Sequence, residues 1–214
     1  MKRLILILCA LVIVSCAGEN AGNPGQPPAE QQAAATPPPP PLPPPSPEQM
    51  MELMKKAATP GPEHKRLAPL VGTFKTESKF WMDPSKPPQI EKGSAKNEWV
   101  FGKRFVKQAY TGKFNGQPFQ GMGYIGFDNV KKAYVSTWMD SMGTGVMVSE
   151  GTFDSANRAL EMSSTFSCPL TGGERNARFV TRIINDNEYV DEMFDKGPDG
   201  KEFKMMEIHY KKQG

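Results

Sequence analysis

From Thr73 onward, apolar and polar side chains alternate in short runs, and turn-forming residues break the runs at intervals of roughly 10 to 15 residues. The clearest unit is Gln117 to Asp140, QPFQGMGYIGFDNVKKAYVSTWMD, which reads as two extended segments joined at Asp128-Asn129. Phe119, Tyr124, Phe127, Tyr134, Val135, Thr137 and Trp138 are aromatic or β-branched, the types that fit a pleated, half-buried surface. The same pattern predicts strands over Thr73–Phe80, Glu91–Val100, Arg104–Lys113, Pro118–Phe127, Ala133–Asp140, Val146–Phe153, Leu160–Ser167, Arg178–Ile184, Glu188–Phe194 and Glu202–Lys211. Asn115-Gly116 is a two-residue hairpin signal, and Asp186-Asn187 and Pro198-Asp199-Gly200 are turn formers.

No helical segment intervenes, so parallel crossovers are excluded and the predicted class is all-β. An antiparallel up-and-down β-barrel of about ten strands is preferred to a sandwich, because closure removes exposed edges. Glycines inside strand patterns, at Gly121, Gly123, Gly126, Gly143, Gly145 and Gly151, suit a curled sheet. The last strand carries Phe203, Met205, Glu207 and His209 on one face, and Lys204, Met206, Ile208 and Tyr210 on the other. Mixed polarity on both faces suits a wall around a partly polar cavity.

A different pattern precedes the strands. Ser46 is placed as an N-cap with Pro47 behind it and Glu48 in the first turn, so Met50, Met51, Leu53 and Met54 fall on a short N-terminal helix ending before Pro60-Gly61. A second helical turn is predicted from Glu63 to Leu67, with the methionine-rich helix packing across one end of the barrel. Residues 16–46 hold the run PPPPPLPPP, which favours extended polyproline geometry and serves as a spacer. The domain reading is therefore 1–15 signal peptide, 16–46 spacer, 47–66 helical segment and 67–212 barrel.

Lys2 and Arg3 followed by the apolar run Leu4 to Val14 have the form of a secretory signal. Ile13-Val14-Ser15-Cys16 resembles a bacterial lipobox, which implies that Cys16 becomes the acylated first residue of a lipoprotein. The alternative is an ordinary cleaved signal that happens to contain a cysteine. Ala17 after the cysteine implies the periplasmic face of the outer membrane, so the expected location is the bacterial cell envelope. With Cys9 in the signal and Cys16 lipidated, Cys168 remains alone and no intrachain disulfide can form. Cys168 is read as a packing residue near a turn rather than a nucleophile. The 26 basic and 23 acidic side chains are interspersed, which argues against nucleic acid as a partner.

The runs LAPLVGTFKTESKFWMDPSKPP, NEWVFGKRFVKQAYTGKFNGQPFQGMGYIGFDN, YVSTWMDSMGTG and DKGPDGKEFKMMEIHY resemble, in this order, the bacterial domain of unknown function family 1579. The resemblance spans Leu67 to Tyr210 and implies a calycin-like barrel, related in shape to lipocalins, with no established activity. Gly72-Thr73-Phe74 also echoes the Gly-x-Trp start of lipocalins, with Phe in place of Trp.

Catalytic signatures are sparse, with no HExxH, CxxC, GxSxG or P-loop. Gly121, Gly123 and Gly126 spell G-x-G-x-x-G, but a dinucleotide site needs a helix directly after the glycines and a turn and strand follow instead. Of the two histidines, His64 stands among charged residues and is expected to be solvated. His209 is a candidate haem ligand or a structural strand residue, and no other cofactor or metal is expected. Glu98, Arg104 and Asp140 form a candidate polar patch, and Trp99, Tyr110, Phe119, Tyr124, Tyr134 and Trp138 candidate aromatic walls of a ligand site. The stronger reading of the same residues is that the charged ones are solvated or form structural ion pairs and the aromatics fill the core. Three functions follow: a membrane-anchored carrier of a small, partly apolar ligand; an envelope protein–protein interaction module using the methionine-rich helix; and a weak enzyme using Asp140, Glu98 and Arg104.

Overall fold

The computed structural model describes residues 44–168, 171–197 and 200–214. The signal peptide, Cys16, most of the spacer and the Pro198-Asp199 pair lie outside them. Ten strands form in chain order: β1 (Gly72–Phe80), β2 (Gln89–Val100), β3 (Phe105–Phe114), β4 (Gln117–Asp128), β5 (Ala133–Asp140), β6 (Met147–Asp154), β7 (Ala159–Cys168), β8 (Gly173–Asn185), β9 (Glu188–Lys196) and β10 (Glu202–Lys212). Each pairs antiparallel with its sequence neighbours, and β1 pairs with β10 from Phe74↔Lys212 to Phe80↔Met206, which closes the barrel.

The turns form as their residues dictate. Asn115 and Gly116 both take positive φ, 51° and 73°, the mirror-image turn whose twist matches two antiparallel strands. At the β4–β5 turn the Asp128 carboxylate accepts from the Val130 and Lys131 amides at 2.7 and 3.0 Å. Two placements differ from the sequence reading. Gly143 and Gly145 lie in the β5–β6 connection rather than in strands. β8 starts at Gly173, five residues before Arg178, because the polar stretch Glu174 to Asn176 pairs with Thr165 to Ser167 of β7 despite its loop-like composition.

Helix α1 (Pro47–Ala58) begins with a capping box: the Gln49 amide donates to Ser46 Oγ at 3.2 Å, and the Ser46 amide donates to Gln49 Oε1 at 2.8 Å. Its C-terminus is tied to the β4–β5 turn by the Asn129 side-chain amide, which donates to the Ala57 and Thr59 carbonyls at 2.9 and 2.8 Å. No residue of α1 is buried, and Met50, Met51, Leu53 and Met54 are 50 to 68% exposed. The expected packing of this helix across the barrel end therefore does not occur.

That end is closed instead by α2 (Pro62–Lys65) and the 3₁₀ turn Ala68–Leu70. Leu67 and Leu70 have no exposed surface and join Phe74, Val106, Leu160 and Tyr189 in one apolar cluster. The Asn97 side-chain amide donates to the Leu70 carbonyl at 2.8 Å, and the Tyr134 hydroxyl lies 3.0 Å from the Glu63 carbonyl and 2.9 Å from its carboxylate. His64 is buried here rather than solvated. Its Nδ1 accepts from the Gly61 amide at 3.1 Å and its ring stands edge-on to Phe127, so it caps α2 from inside. Burial, opposed by a backbone hydrogen bond at Phe127, holds its pKa below the ordinary imidazole value.

Because Leu70 fills the closed end with no room to relax outward, Leu70→Ala is expected to lower stability by about 3 kcal/mol in urea unfolding. Met51→Ala, on the exposed face of α1, is expected to change it by less than about 0.5 kcal/mol.

Candidate functional site

Alternation along ten strands puts every second side chain inside the wall, and these side chains do not fill it. A cavity of about 960 Å³ runs from the plugged end to the opposite mouth. The mouth is formed by the β1–β2, β5–β6 and β7–β8 connections, with Met82, Met142 and Val146 around it. These three are 50 to 69% exposed, an apolar rim of mostly unbranched, adaptable side chains.

Four of the nine sequence-predicted ligand residues line this cavity: Tyr110, Phe119, Trp138 and Asp140. Trp138 lies across the inner face of β4, where Gly121 and Gly123 leave it space; a Cβ at Gly121 would collide with the indole. The G-x-G-x-x-G spacing therefore reflects close packing: Gly121 and Gly123 under Trp138, Gly126 under Phe105. The Trp138 indole N–H donates to Asp140 at 3.1 Å, and the other Asp140 oxygen accepts from the Met142 amide at 2.9 Å, which fixes both residues at the mouth. The Tyr110 hydroxyl lies 3.1 Å from Ser78 and 3.5 Å from Thr76.

The other five lie elsewhere. Trp99 packs against the apolar cluster near the plug, and Tyr134 is buried beneath α2. Tyr124 is on the outer face of β4, in register with Lys107 and Thr137. Glu98 is half exposed on the outer wall beside Lys96 and Lys107 at 3.8 and 3.9 Å. Arg104 sits in the β2–β3 turn, donating to the Phe101 carbonyl at 2.8 Å. Glu98, Arg104 and Asp140 are thus not brought together: the first two lie towards the plugged end and the third at the mouth.

His209 is on the outer face of β10, 2.9 Å from Glu207, and does not face the cavity. A bulge causes the last strand to depart from simple alternation. The register with β9 slips between Lys204 and Met206, so Met205 and Met206 both line the cavity while Lys204 turns outward to Glu192 and Glu207. Partial burial pushes the Glu207 carboxyl up, but hydrogen bonds from Lys204, Lys79 and His209 prevail and hold it at about 2. Among the described residues no group of three His, Cys, Asp or Glu side chains is placed to hold a metal. Cys168 is buried at the end of β7 against the Arg175 guanidinium, which also pairs with the buried Asp195 at 2.8 Å.

The interior residue that sequence reasoning missed is Asp191. It stands on the inner face of β9 above a floor made by Tyr189 and Tyr210, whose rings stack at 4.2 Å. Thr181 Oγ1 donates to its carboxylate at 2.6 Å and the Tyr210 hydroxyl also bonds it. Asp191 is mostly buried and lines the cavity. Burial raises its pKa to about 6 against the opposing effect of those two hydrogen bonds. The signal was ambiguous in the sequence: Tyr189, Asp191 and Met193 form one face and Val190, Glu192 and Phe194 the other, each with one acid between two apolar residues. On β8 the arginines at 178 and 182 mark the outer face, and Thr181 could have been assigned inward.

An aspartate titrating at about 6 when folded, against an ordinary value of 3.8, binds its proton more tightly in the native state. Its effect on folding is therefore nil at low pH, grows as pH rises past 3.8 and is fully unfavourable above 6, by about 3 kcal/mol. Asp191→Asn is accordingly expected to unfold at higher urea than the parent at pH 8, by about 2 to 3 kcal/mol, and to lose that advantage towards pH 4. Equal stabilities at pH 8 would mean that the carboxylate is already compensated.

The fold has a solved counterpart. The crystal structure of Rv2717c from M. tuberculosis is similar over 73% of this chain and 100% of its own, at 15% identity and a TM-score of 0.55. A redesigned β-barrel is similar over 74% of this chain and 96% of its own, at 12% identity and a TM-score of 0.37. No curated protein matches the chain. A family model does match, over residues 59–212, from α2 and its approach through the last strand. The chain belongs to that family, described as a protein of unknown function, DUF1579.

Proposed function

We propose that this protein is a lipid-anchored envelope protein whose calycin-like barrel binds a small, largely apolar molecule without transforming it. The observation that supports this reading is the cavity: about 960 Å³, plugged at one end, open at the other. Ligand pockets typically measure roughly 300 to 1,000 Å³ and are apolar with a few convergent polar groups. Here the apolar part comes from Phe119, Trp138, Phe179 and the methionines, and the polar part from Tyr110, Thr181 and Asp191. The dispersal of Glu98, Arg104 and Asp140 removes the polar trio on which a catalytic reading rested. Anchoring rests on the sequence around Cys16.

Two measurements test the two halves of this proposal. Residues 16–214 with Cys16→Ser, free of acyl chains, should bind Nile red saturably at one site with blue-shifted emission, and 1-decanol should displace it. Absence of saturable dye binding would overturn the binding reading. In cells, the full chain should incorporate labelled palmitate and sediment with membranes, and Cys16→Ser should abolish both. Label persisting in that variant would overturn the assignment of Cys16.

A further inference from the structure

The cavity lining has an uneven charge. Asp140, Glu174 and Asp191 all contribute to it, while no described lining residue is Lys, Arg or His. Yet the chain carries 26 basic side chains, more than its 23 acidic ones. Outer-wall carboxylates take up these cations: Glu192 holds Arg182 and Lys204 at 3.0 Å each, and Glu207 holds Lys79 at 2.9 Å. Asp191, next to Glu192 in sequence but on the opposite face, receives only hydroxyl donors.

Hydrogen-bond accounting on the floor points the same way. Asn97 uses both hydrogens of its side-chain amide, on the Leu70 carbonyl at 2.8 Å and the Tyr189 hydroxyl at 3.0 Å. That pairing fixes the amide orientation, since exchanging O and N would set two carbonyl oxygens against each other. Asn97 Oδ1 is then a buried acceptor with no partner, on a side chain only 3% exposed. Asn97 reaches Tyr189, Tyr189 stacks on Tyr210 and Tyr210 bonds Asp191, so both acceptors belong to one floor. An ionised carboxylate has about four acceptor sites, of which Thr181 and Tyr210 fill two. The floor thus offers spare acceptors and one uncompensated negative charge beneath an apolar chamber.

We infer that the cavity takes a cationic amphiphile, a protonated amine on a hydrophobic body, with Asp191 as its counter-charge. This rests on the reading that the barrel holds a small apolar molecule, and specifies its head group. The ammonium supplies the donors that the floor lacks, and Tyr110, Phe119 and Trp138 line the chamber with aromatic rings, whose faces attract a cation. A fatty acid of the same length is disfavoured, because its carboxylate would be desolvated beside Asp191. The methionine rim imposes little shape on the body, so the head group rather than the tail sets the preference.

The test compares three ligands of one chain length, decylammonium, 1-decanol and decanoate, each below its micelle concentration, as competitors of Nile red on residues 16–214 with Cys16→Ser. At pH 7.5 decylammonium should compete at least about tenfold more strongly than decanol, and decanoate most weakly. Asp191→Asn should bring decylammonium and decanol together while leaving decanol competition intact, and Glu98→Gln on the outer wall, away from the cavity, should leave the amine preference in place. The groups against Asp191 are the Tyr210 hydroxyl from β10, Thr181 from β8 and Tyr189 on its own strand, and burial holds both tyrosines well above the ordinary phenol value. Lowering pH from 7.5 to 5 should therefore erode the preference by about tenfold as Asp191 takes up a proton. The pH arm uses the parent protein and stands even where Asp191→Asn fails to fold. Equal competition by all three ligands, a preference for decanoate, or a preference unmoved by pH would overturn this inference while leaving apolar binding intact. Failure of the dye itself to bind would remove both.

Discussion

The ladder between β1 and β10 is the constraint on which the rest depends. Every other pairing joins strands adjacent in sequence, whereas this one joins the two ends of the domain, from Phe74↔Lys212 to Phe80↔Met206. It removes the two open edges of the meander and with them the template for edge-to-edge aggregation. It also sets the circumference. About eight strands give an interior that side chains just fill, so a closed wall of ten leaves unfilled volume by geometry. The cavity is thus a consequence of strand number and closure. Because the ladder cannot form until the last strand exists, the price is a slowly closing, high-contact-order topology.

The two ends of that wall are treated differently. At one, Leu67 and Leu70 are drawn in, Asn97 ties the 3₁₀ turn to β2, and Tyr134 reaches Glu63, so backbone groups entering the barrel end are met by side-chain partners. At the other, Met82, Met142 and Val146 stay exposed. The apolar rim around the open chamber is left without a partner in the fold, in contrast to the plugged end.

Strand existence was legible from alternation and turn residues: all ten predicted strands formed, and Asn115-Gly116 and Asp128-Asn129 turn as read. Which face points inward was much less so. Where one face carries two cations, as with Arg178 and Arg182 on β8, the choice is set by charge. On β9 both faces carry one acid between apolar residues, and only the register with β8 and β10 decides. The bulge at Met205 is a further case, since one extra residue reverses Lys204 without any local signal in KMMEIHY. The misreading of His64 had the same origin: its charged neighbours suggest solvent, but Phe127, which packs against it, is far along the chain. Glu98, Arg104 and Asp140 looked like a cluster because strand ends collect polar residues, while the barrel height between them is invisible in one dimension.

Asp191 and Glu192 show how far side-chain environment, rather than residue type, determines chemistry. They are consecutive acids on one strand. Partial burial pushes Glu192 up, but contacts from Lys204 and Arg182 outweigh it and leave the carboxyl below its ordinary value. Burial dominates for Asp191, whose partners are hydroxyls, and raises its pKa to about 6. Nothing about packing requires this, because a leucine or asparagine at 191 would spare the fold an interior charge, and several cations stand one residue away across the sheet. Structural acids are placed where cations meet them, as Glu207 is, and an acid kept from those cations disfavours the native state at neutral pH. The cavity is the side on which Asp191 is open, so a donor or cation that relieved this cost would have to reach it from there.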